Sequence, residues 1–147
     1  KYFKTEKTAH FLLEDFSKEE LSFGESKKNI YATDKDTEIL EYSDGSVHLS
    51  SHAFGKGRGI YMAGLPYSPK NTRLLLRALL YSCGKENEYA LYQATNPSCE
   101  VHAYPEKGLL AVLNNSQVPQ DTGYYNGKGR LQEIHLEAGE MQWYKEA

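Results

Sequence analysis

The sequence contains neither the long apolar runs of membrane proteins nor the excess of positive charge typical of nucleic-acid-binding proteins. No apolar stretch approaches the roughly 20 residues that a bilayer-spanning helix needs. The 147 residues carry a formal net charge of −3, which provides no basic field to attract nucleic acid or an anionic membrane. The segment Lys1–Glu6 has no apolar stretch of the kind that a secretion signal requires. We therefore expect a cytoplasmic protein with no nucleic-acid and no membrane partner.

Cysteine and the usual catalytic motifs are scarce as well. The two cysteines, Cys83 and Cys99, are expected to be free thiols in a reducing compartment. No Gly-x-Ser-x-Gly nucleophile elbow is present. His48 and His52 are four residues apart on an expected strand, which separates them by roughly 13 Å, too far to share one metal ion. The sequence therefore predicts no catalytic, cofactor-binding or metal-binding residues. An initiating methionine is also missing, which is a weak hint of a recombinant piece or a cleaved product.

The composition is that of a packed fold, with 39% hydrophobic and 25% charged residues. In the first part of the chain Gly55-Lys56-Gly57 predicts a tight turn between strands rather than a phosphate-binding loop, because no helix follows it. The residues after the turn form a near-continuous apolar run typical of a strand buried on both faces in an α/β sheet. The strands expected in this part are Asn29–Thr33, Glu38–Tyr42, Val47–Phe54 and Arg58–Leu65.

One helix stands out after these strands. Ser68 can cap its N-terminus, Pro69 suits its first position, and Gly84 can end it. Arg73 and Arg77 are four residues apart and are expected on the solvent side. The side toward the core should carry the apolar residues that recur at helical spacing, namely Leu75, Leu76, Leu79 and Cys83.

The texture changes near Gly84 to Glu88, beyond which the pattern is all-β. We therefore predict an α+β protein, with α/β residues 1–86 followed by a small antiparallel β-sandwich over residues 87–147. The strands expected in the second part are Tyr89–Ala94, Val101–Tyr104, Leu109–Leu113, Leu131–Leu136 and Met141–Tyr144.

Aromatic and acidic residues leave alternatives open. Tyr124, Tyr125 and Trp143 could contact a sugar, but the tyrosines could equally belong to a hairpin that covers the core, and Trp143 could be a packing residue. Glu14 and Asp15 are expected on a solvated charged face, because adjacent carboxylates do not specify the separation that a glycoside hydrolase needs. A stand-alone carbohydrate-binding module and a small hydrolase using Asp15 or Glu14 thus remain alternatives to a non-catalytic scaffold.

Several segments resemble one enzyme family. The core Gly-Lys-Gly-Arg-x-x-Tyr of the first segment is also similar to a stretch in the glutamine-amidotransferase-like middle domains of several glycosidase families. The longer segments together resemble 1,3-β-galactosyl-N-acetylhexosamine phosphorylases, also called lacto-N-biose phosphorylases. The segments that carry this resemblance are Phe54–Ser68, Asn71–Leu80, His10–Asp15, Glu100–Tyr104 and Val112–Asn115.

The resemblance implies a fold and a reaction. Enzymes of this family are bacterial and intracellular, and they cleave galactosyl-β-1,3-N-acetylhexosamine with inorganic phosphate to α-galactose 1-phosphate and the free N-acetylhexosamine. Their catalytic (β/α)8 barrel is followed by an α/β middle domain and a small C-terminal β domain. The present chain resembles the tail of the middle domain, of glutamine-amidotransferase-like type, and the β domain.

The family's general acid and phosphate-binding residues belong to the barrel, so the resemblance assigns no catalytic residue here. It implies a non-catalytic segment whose partners are the rest of the phosphorylase and other copies of the enzyme. Phosphate is the co-substrate and no cofactor is expected. We also expect the α/β part to expose a sheet edge or an apolar face that the rest of the enzyme normally covers, and therefore to self-associate or to rearrange.

Overall fold

A computed structural model describes residues 1–146, apart from the side chain of Lys18. The chain divides into two compact units, Lys1–Glu86 and a second that begins at Asn87. We call them the first unit and the second unit. The architecture is α+β, with one α-helix and three small antiparallel sheets in the described residues. None of the helices in residues 1–146 combines the length and the apolar character needed to cross a bilayer.

The first unit contains an antiparallel sheet in the order β1-β2-β3. A two-residue turn at Asp44 and Gly45, both with positive φ, joins β1 to β2, which is the hairpin geometry that matches the strand twist. Gly55, with a φ of 57°, opens the turn between β2 and β3, so the predicted turn is confirmed. The strands are β1 Glu38–Ser43, β2 Ser46–Phe54 and β3 Gly57–Met62.

Two strand predictions for the first unit are wrong. Asn29–Thr33 forms only an isolated bridge between Ala32 and Phe3, because Asn29 takes a left-handed conformation that interrupts the extended chain. The run Arg58–Leu65 is not a strand buried on both faces of an α/β sheet, since β3 is an antiparallel edge strand whose first three residues are exposed. The apolar residues of β3 pack into one cluster on each face of the sheet. A continuous apolar run therefore does not require a parallel sheet.

The helix α1, Pro69–Ser82, has the predicted ends. The Ser68 side chain accepts a hydrogen bond from the Asn71 N–H at 3.0 Å, and Pro69 occupies the first turn. At the other end Gly84 has a φ of 69°, and the Lys85 N–H bonds to the Leu80 carbonyl at 2.8 Å. This glycine-based termination satisfies carbonyls that the last turn would otherwise leave unpaired.

The predicted faces of α1 are reversed at several positions. Arg73 and Arg77 are 6% and 3% exposed, whereas Leu79 is 57% exposed. Leu75 and Cys83, also expected in the core, are exposed. The helix instead buries the face of Leu74 and Ala78 against β1, β2 and the segment around Leu12, and the arginines lie on this side. Arg77 can be buried because its guanidinium donates hydrogen bonds to the Asp15 carboxylate and the Phe11 carbonyl, which lie far away in the sequence.

The second unit is a small sandwich of two three-stranded antiparallel sheets, β4-β7-β8 and β5-β6-β9. Their inner faces share one core, in which Leu110 and Val112 of β6 pack with Tyr124 of β7 and Leu136 of β8. The strands are β4 Gln93–Ala94, β5 Cys99–Tyr104, β6 Leu109–Asn114, β7 Gln120–Tyr125, β8 Leu131–Leu136 and β9 Met141–Lys145. The chain also has short 3-10 helices at Phe11–Leu13, Lys18–Glu20, Glu86–Glu88 and Pro105–Lys107.

Two strands of this sandwich differ from expectation. The strand expected over Tyr89–Ala94 shrinks to two residues, because Tyr92 takes a left-handed conformation just before them. Strand β7 was not predicted, since Pro119 and Gly123 are typical of a loop. In the structure Gly123 lies inside the strand, where a Cβ would lie 2.7 Å from Leu131 Cδ1, so the side chain of Leu131 occupies the space above this glycine.

Asn114, at the end of β6, holds together three parts of the second unit. Its side chain is fully buried. Nδ2 donates to the Val118 carbonyl at 2.8 Å and to the Glu137 carbonyl at 3.0 Å. Oδ1 accepts from the N–H of Ser116 at 3.0 Å and from its hydroxyl at 2.7 Å. One amide therefore satisfies the backbone of the loops before β7 and after β8.

Candidate functional site

The structure does not bring the three candidate sugar-contacting residues together. The Tyr124 ring stacks on Tyr144 at 5.1 Å between the two sheets, as the hairpin alternative expected. Tyr125, the next residue of β7, points to the opposite face of its sheet. Trp143 is 56% exposed on the outer face of the other sheet, where it stacks on Tyr104 at 5.8 Å. The three side chains therefore occupy three different surroundings, and no single sugar could touch them all.

Tyr124 does, however, lie at the wall of a cavity at one end of the sandwich. The cavity has a volume of about 650 Å³, within the range of small-molecule sites. Its wall combines the ends of β7, β8 and β9 with the loop that joins β7 to β8. The residues that form it are Tyr92, Pro105, Gly108, Leu110, Tyr124, Asn126, Gly127, Lys128, Arg130, Gln132, Tyr144, Lys145 and Glu146.

The hydroxyl of Tyr124 has no partner within the described chain. Tyr124 is 6% exposed, and no residue between 1 and 146 forms a hydrogen bond with its Oη. This oxygen is not fully enclosed by protein. It therefore reaches open space at the cavity wall. Burial raises the pKa of the Tyr124 phenol above its usual value, with smaller contributions from Tyr144 and Glu146. The hydroxyl is therefore neutral and can both donate and accept.

Glu146 is fixed at the other side of the cavity by two donors. Its Oε2 accepts from the Tyr92 hydroxyl at 2.9 Å, and its Oε1 accepts from the Gly127 N–H at 2.8 Å. The hydrogen bond to Glu146 raises the pKa of the Tyr92 phenol. Gly127 has no room for a side chain, because a Cβ would lie 2.1 Å from Tyr92 Oη. The β7–β8 loop is therefore tied to the C-terminal strand in a fixed geometry.

A second polar group lies in the first unit, around His10. His10 Nε2 lies 3.2 Å from Glu38 Oε2 and 3.3 Å from Ser51 Oγ, and Ser51 Oγ donates to Glu38 Oε2 at 3.2 Å. The residue types are those of a serine triad. The tautomer is wrong, however, because His10 Nδ1 accepts from the Leu12 N–H at 3.1 Å, which leaves the proton on Nε2. His10 therefore cannot take a proton from the buried Ser51, and the group is structural.

Acid is expected to weaken the first unit through His10. Burial, the largest cause, lowers its pKa, although Glu38 acts in the opposite direction. The unfolded chain takes up a proton near the usual value of about 6.5, before the folded chain does. Stability is therefore complete above that pH and falls as the pH drops toward the lower folded pKa. Amide exchange of first-unit residues, measured at about pH 7.5 and 5.5, should show this loss, and His10→Asn should reduce it.

His135 provides the control for this pH dependence. Its hydrogen bond with Asp121 at 2.7 Å raises its pKa, so its stabilising contribution is present below the unfolded pKa and is lost as the pH rises through the folded one. His135→Asn should therefore change second-unit exchange alone. A first-unit loss that persists unchanged in His10→Asn would contradict the assignment.

The acidic pair Glu14-Asp15 is not simply a solvated face. Asp15 Oδ2 accepts from Arg77 Nε at 2.7 Å, and Glu14 lies 3.5 Å from Arg77 Nη1. The same Nη1 donates to the Phe11 carbonyl at 2.7 Å. Asp15 is thus bound to a buried arginine, and these acids join the start of the chain to α1. Within residues 1–146, no group of three or more His, Cys, Asp or Glu side chains is placed to hold a metal ion.

Sequence reasoning found Tyr124 but missed most of the cavity. Tyr92 precedes β4 of one sheet, whereas Tyr144 and Glu146 lie in and just after β9 of the other, and β7, which places Tyr124 beside them, was not predicted. The signal that could have found it was Asn126-Gly127, a pair that favours a hairpin turn between flanking strands. Likewise, the His10–Ser51 and Arg77–Asp15 contacts join residues 41 and 62 positions apart and leave no local pattern.

Comparisons with known proteins match both units. The family model described as the lacto-N-biose phosphorylase central domain matches residues 1–87, and the one described as the C-terminal domain matches residues 92–144. A 1,3-β-galactosyl-N-acetylhexosamine phosphorylase of Lachnoclostridium phytofermentans is 41% identical over 93% of this chain and 19% of its own length. One from Bifidobacterium longum subsp. longum is 39% identical over 84% of this chain and 16% of its own length.

A relative with a different name also matches. A D-galactosyl-β-1→4-L-rhamnose phosphorylase of Lachnoclostridium phytofermentans is 37% identical over 71% of this chain and 15% of its own length. The chain thus spans less than a fifth of the length of the curated relatives it matches.

Proposed function

Because the chain belongs to the lacto-N-biose phosphorylase family, we propose that it is a non-catalytic segment of a sugar phosphorylase. In this proposal the whole enzyme uses inorganic phosphate to cleave galactosyl-β-1,3-N-acetylhexosamine reversibly to α-galactose 1-phosphate and N-acetylhexosamine. It needs no cofactor and acts in the bacterial cytoplasm. The first unit is the end of an α/β middle domain of glutamine-amidotransferase-like type, and the second is the β domain that follows it.

The observation that carries this proposal is which parts of the relatives are matched. The two family models are those of a central and a C-terminal domain, and together they account for most of the chain. Phosphorolysis requires an acid at the leaving oxygen and cations around phosphate. A sequence that matches the domains beyond the catalytic barrel is expected to contribute support rather than these groups.

The contacts of Arg77 support a scaffold role. An arginine that binds phosphate must present the N–H groups of its guanidinium to an open cleft. Arg77 is instead 3% exposed, and it donates to Asp15 and to the Phe11 carbonyl. Its charge is therefore used to join α1 to the preceding segment. This also disfavours the hydrolase alternative, because Asp15 is held in the same contact.

The names of the relatives support a further part of the proposal, that this segment does not choose the acceptor sugar. One relative is named for N-acetylhexosamine and another for L-rhamnose, yet their identities to this chain are similar, 41% and 37%. If this segment selected the acceptor sugar, its sequence would be expected to be clearly more similar to the relatives that share its acceptor than to those that use another.

In this proposal the segment packs against the remainder of the phosphorylase. The whole enzyme is in addition a homo-oligomer. Large apolar side chains stand exposed in the first unit, including Phe54 at 84%, Tyr67 at 91% and Leu79 at 57%. Leu75 is also exposed, one helical turn before Leu79, so the two form one apolar patch on α1. Exposed apolar groups of this size favour contact with another surface.

The test separates scaffold from catalyst. The 147-residue chain alone is incubated with galactosyl-β-1,3-N-acetylglucosamine and phosphate, and we expect no phosphate-dependent release of N-acetylglucosamine. In a chimera, this chain replaces the matching segment of the Bifidobacterium longum phosphorylase. We expect that chimera to be active. The isolated chain should self-associate in light scattering.

Three outcomes would contradict the proposal. Turnover by the isolated chain would make it a catalyst, and an inactive but folded chimera would show that the segment does not support such a barrel. A strictly monomeric isolated chain would argue against the expected partner surface. The matched control is the Bifidobacterium longum enzyme with its own segment, expressed and assayed in parallel.

A further inference from the structure

The cavity of the second unit has a chemistry that the scaffold role does not use. We propose that it binds a monosaccharide that carries an anionic group, of the hexose monophosphate class. This inference concerns the second unit alone and does not depend on the reaction of the parent enzyme.

The apolar part of the cavity suits a sugar ring. Tyr92, Tyr124 and Tyr144 all contribute to its wall, and the last two rings are stacked at 5.1 Å. A tyrosine offers an apolar ring face together with a polar tip, which matches a sugar with its C–H face and its hydroxyl groups. The volume of about 650 Å³ accommodates a ligand of this size together with water.

The polar part contains groups that lack partners. The Tyr124 hydroxyl is unpaired and reaches the cavity from a residue that is 6% exposed. Gln132 pairs directly across from Tyr124, so its side chain leaves β8 on the same face. Its amide also forms no hydrogen bond within the described chain. A hydroxyl and an amide together supply donors and acceptors for sugar hydroxyls.

The charge around the cavity is opposite to that of the whole chain. The formal net charge is −3, yet among the described residues the wall contains Lys128, Arg130 and Lys145 together with the carboxylate of Glu146. Arg130 and Lys145 have no ion-pair partner in the described residues. An arginine fork is well matched to phosphate oxygens. The excess of positive charge therefore favours an anionic substituent over a neutral sugar.

Glu146, the carboxylate among the described wall residues, does not oppose this ligand strongly. Both oxygens of Glu146 accept hydrogen bonds, from the Tyr92 hydroxyl and from the Gly127 N–H. The carboxylate is thus part of the wall and holds the β7–β8 loop, which bears Lys128 and leads to Arg130. Lys128 and Arg130 are thus presented from a fixed loop and Lys145 from the end of β9, which lowers the entropy cost of binding.

The experiment uses the whole 147-residue chain and isothermal titration calorimetry. The probes are galactose 1-phosphate and glucose 6-phosphate, with galactose, glucose and inorganic phosphate as single-component controls. We expect at least one hexose phosphate to bind about tenfold or more tightly than any of the controls. Binding should weaken as salt is raised, because part of it is ionic.

Variants test whether the bound probe occupies the cavity. Tyr124→Phe keeps the ring and removes the hydroxyl, and Arg130→Gln and Lys145→Gln remove exposed charges without touching the core. Each is expected to weaken hexose phosphate binding about tenfold. Lys107→Gln, an exposed lysine outside the cavity wall, is the matched control and should bind normally. Amide spectra of each variant verify that the sandwich is folded.

Several results would overturn the inference. Equal binding of inorganic phosphate would indicate an adventitious ion only, and equal binding of galactose would indicate a neutral sugar site. Hexose phosphate binding that is unchanged in Arg130→Gln and Lys145→Gln would place it elsewhere. Absence of binding by every probe would exclude the class proposed. None of these results bears on turnover by the chimera, so failure here and failure of the scaffold proposal are distinguishable.

Discussion

Arg77→Met is expected to destabilise the first unit by about 3 kcal/mol, because it leaves a partly buried carboxylate and a carbonyl without their donor. Arg77 Nε and Nη1 contact Asp15 and the Phe11 carbonyl, each at 2.7 Å, and the guanidinium stacks 4.6 Å from the Phe11 ring. Methionine keeps apolar volume but supplies no N–H group. Since domains of this size are marginally stable, the loss should be a large fraction of the total. Urea unfolding followed by first-unit amide signals measures it.

The control is Arg58→Met, which makes the same chemical change at a more exposed arginine. Arg58 pairs with Glu86 and stacks over Tyr81 at 4.3 Å, and an exposed pair of this kind should be worth about 1 kcal/mol or less. Asp15→Asn, which keeps an acceptor for Arg77, should cost less than Arg77→Met. If Arg77→Met and Arg58→Met have equal effects, the buried pair does not hold α1 in place.

Asn114→Asp is expected to destabilise the second unit by about 3 kcal/mol or more at neutral pH, since a buried unpaired charge is very costly. The two side chains have the same shape, so packing is preserved. The new carboxylate oxygen would face the Val118 and Glu137 carbonyls, which now accept from Nδ2 at 2.8 and 3.0 Å. Thermal unfolding followed by the near-ultraviolet signal of the second unit tests this, and the loss should shrink at low pH, where the carboxyl group is protonated.

Asn115→Asp is the matched control, one residue further along the chain. Asn115 is exposed, and its side chain donates to Glu100 at 3.0 Å. The change places two acids together at the surface, where water screens them, and should cost about 1 kcal/mol or less. A result in which both variants lose equal stability would mean that charge on this strand, rather than the buried amide, matters.

The ends of α1 could be predicted from sequence, but its buried face could not. Ser68 and Gly84 act through bonds within a few residues, so their effect is visible locally. Arg77 is buried because Asp15 and Phe11 approach from 62 and 66 positions away. Arginine at helical spacing has the same pattern whether it meets water or a distant acid. A charge-based assignment of faces therefore fails where a buried ion pair decides the rotation of the helix.

The same contrast applies to the candidate site. The strands of the second unit with clear alternation were predicted, whereas β7 was not, because Gly123 lies inside the strand and not in a turn. Because β7 was not predicted, the pairing that sets Tyr124 opposite Gln132 was missed. Aromatic content identified Tyr124 as a candidate, but its separation from Tyr125 and Trp143 follows from strand alternation and sheet order, which are properties of the assembled fold.

The buried amide at the end of β6 has a consequence for how this protein is produced. Asn114-Asn115-Ser116 is an acceptor sequence for N-linked glycans in a secretory pathway. In the folded chain this asparagine is fully enclosed, so an oligosaccharide could be attached only before folding. An attached oligosaccharide would occupy Nδ2 of Asn114, and the asparagine could then no longer be buried in the core. Expression through the secretory route of a eukaryotic host should therefore yield misfolded glycoprotein, which substitution of Ser116 by alanine would prevent at the cost of the three hydrogen bonds of the Ser116 hydroxyl.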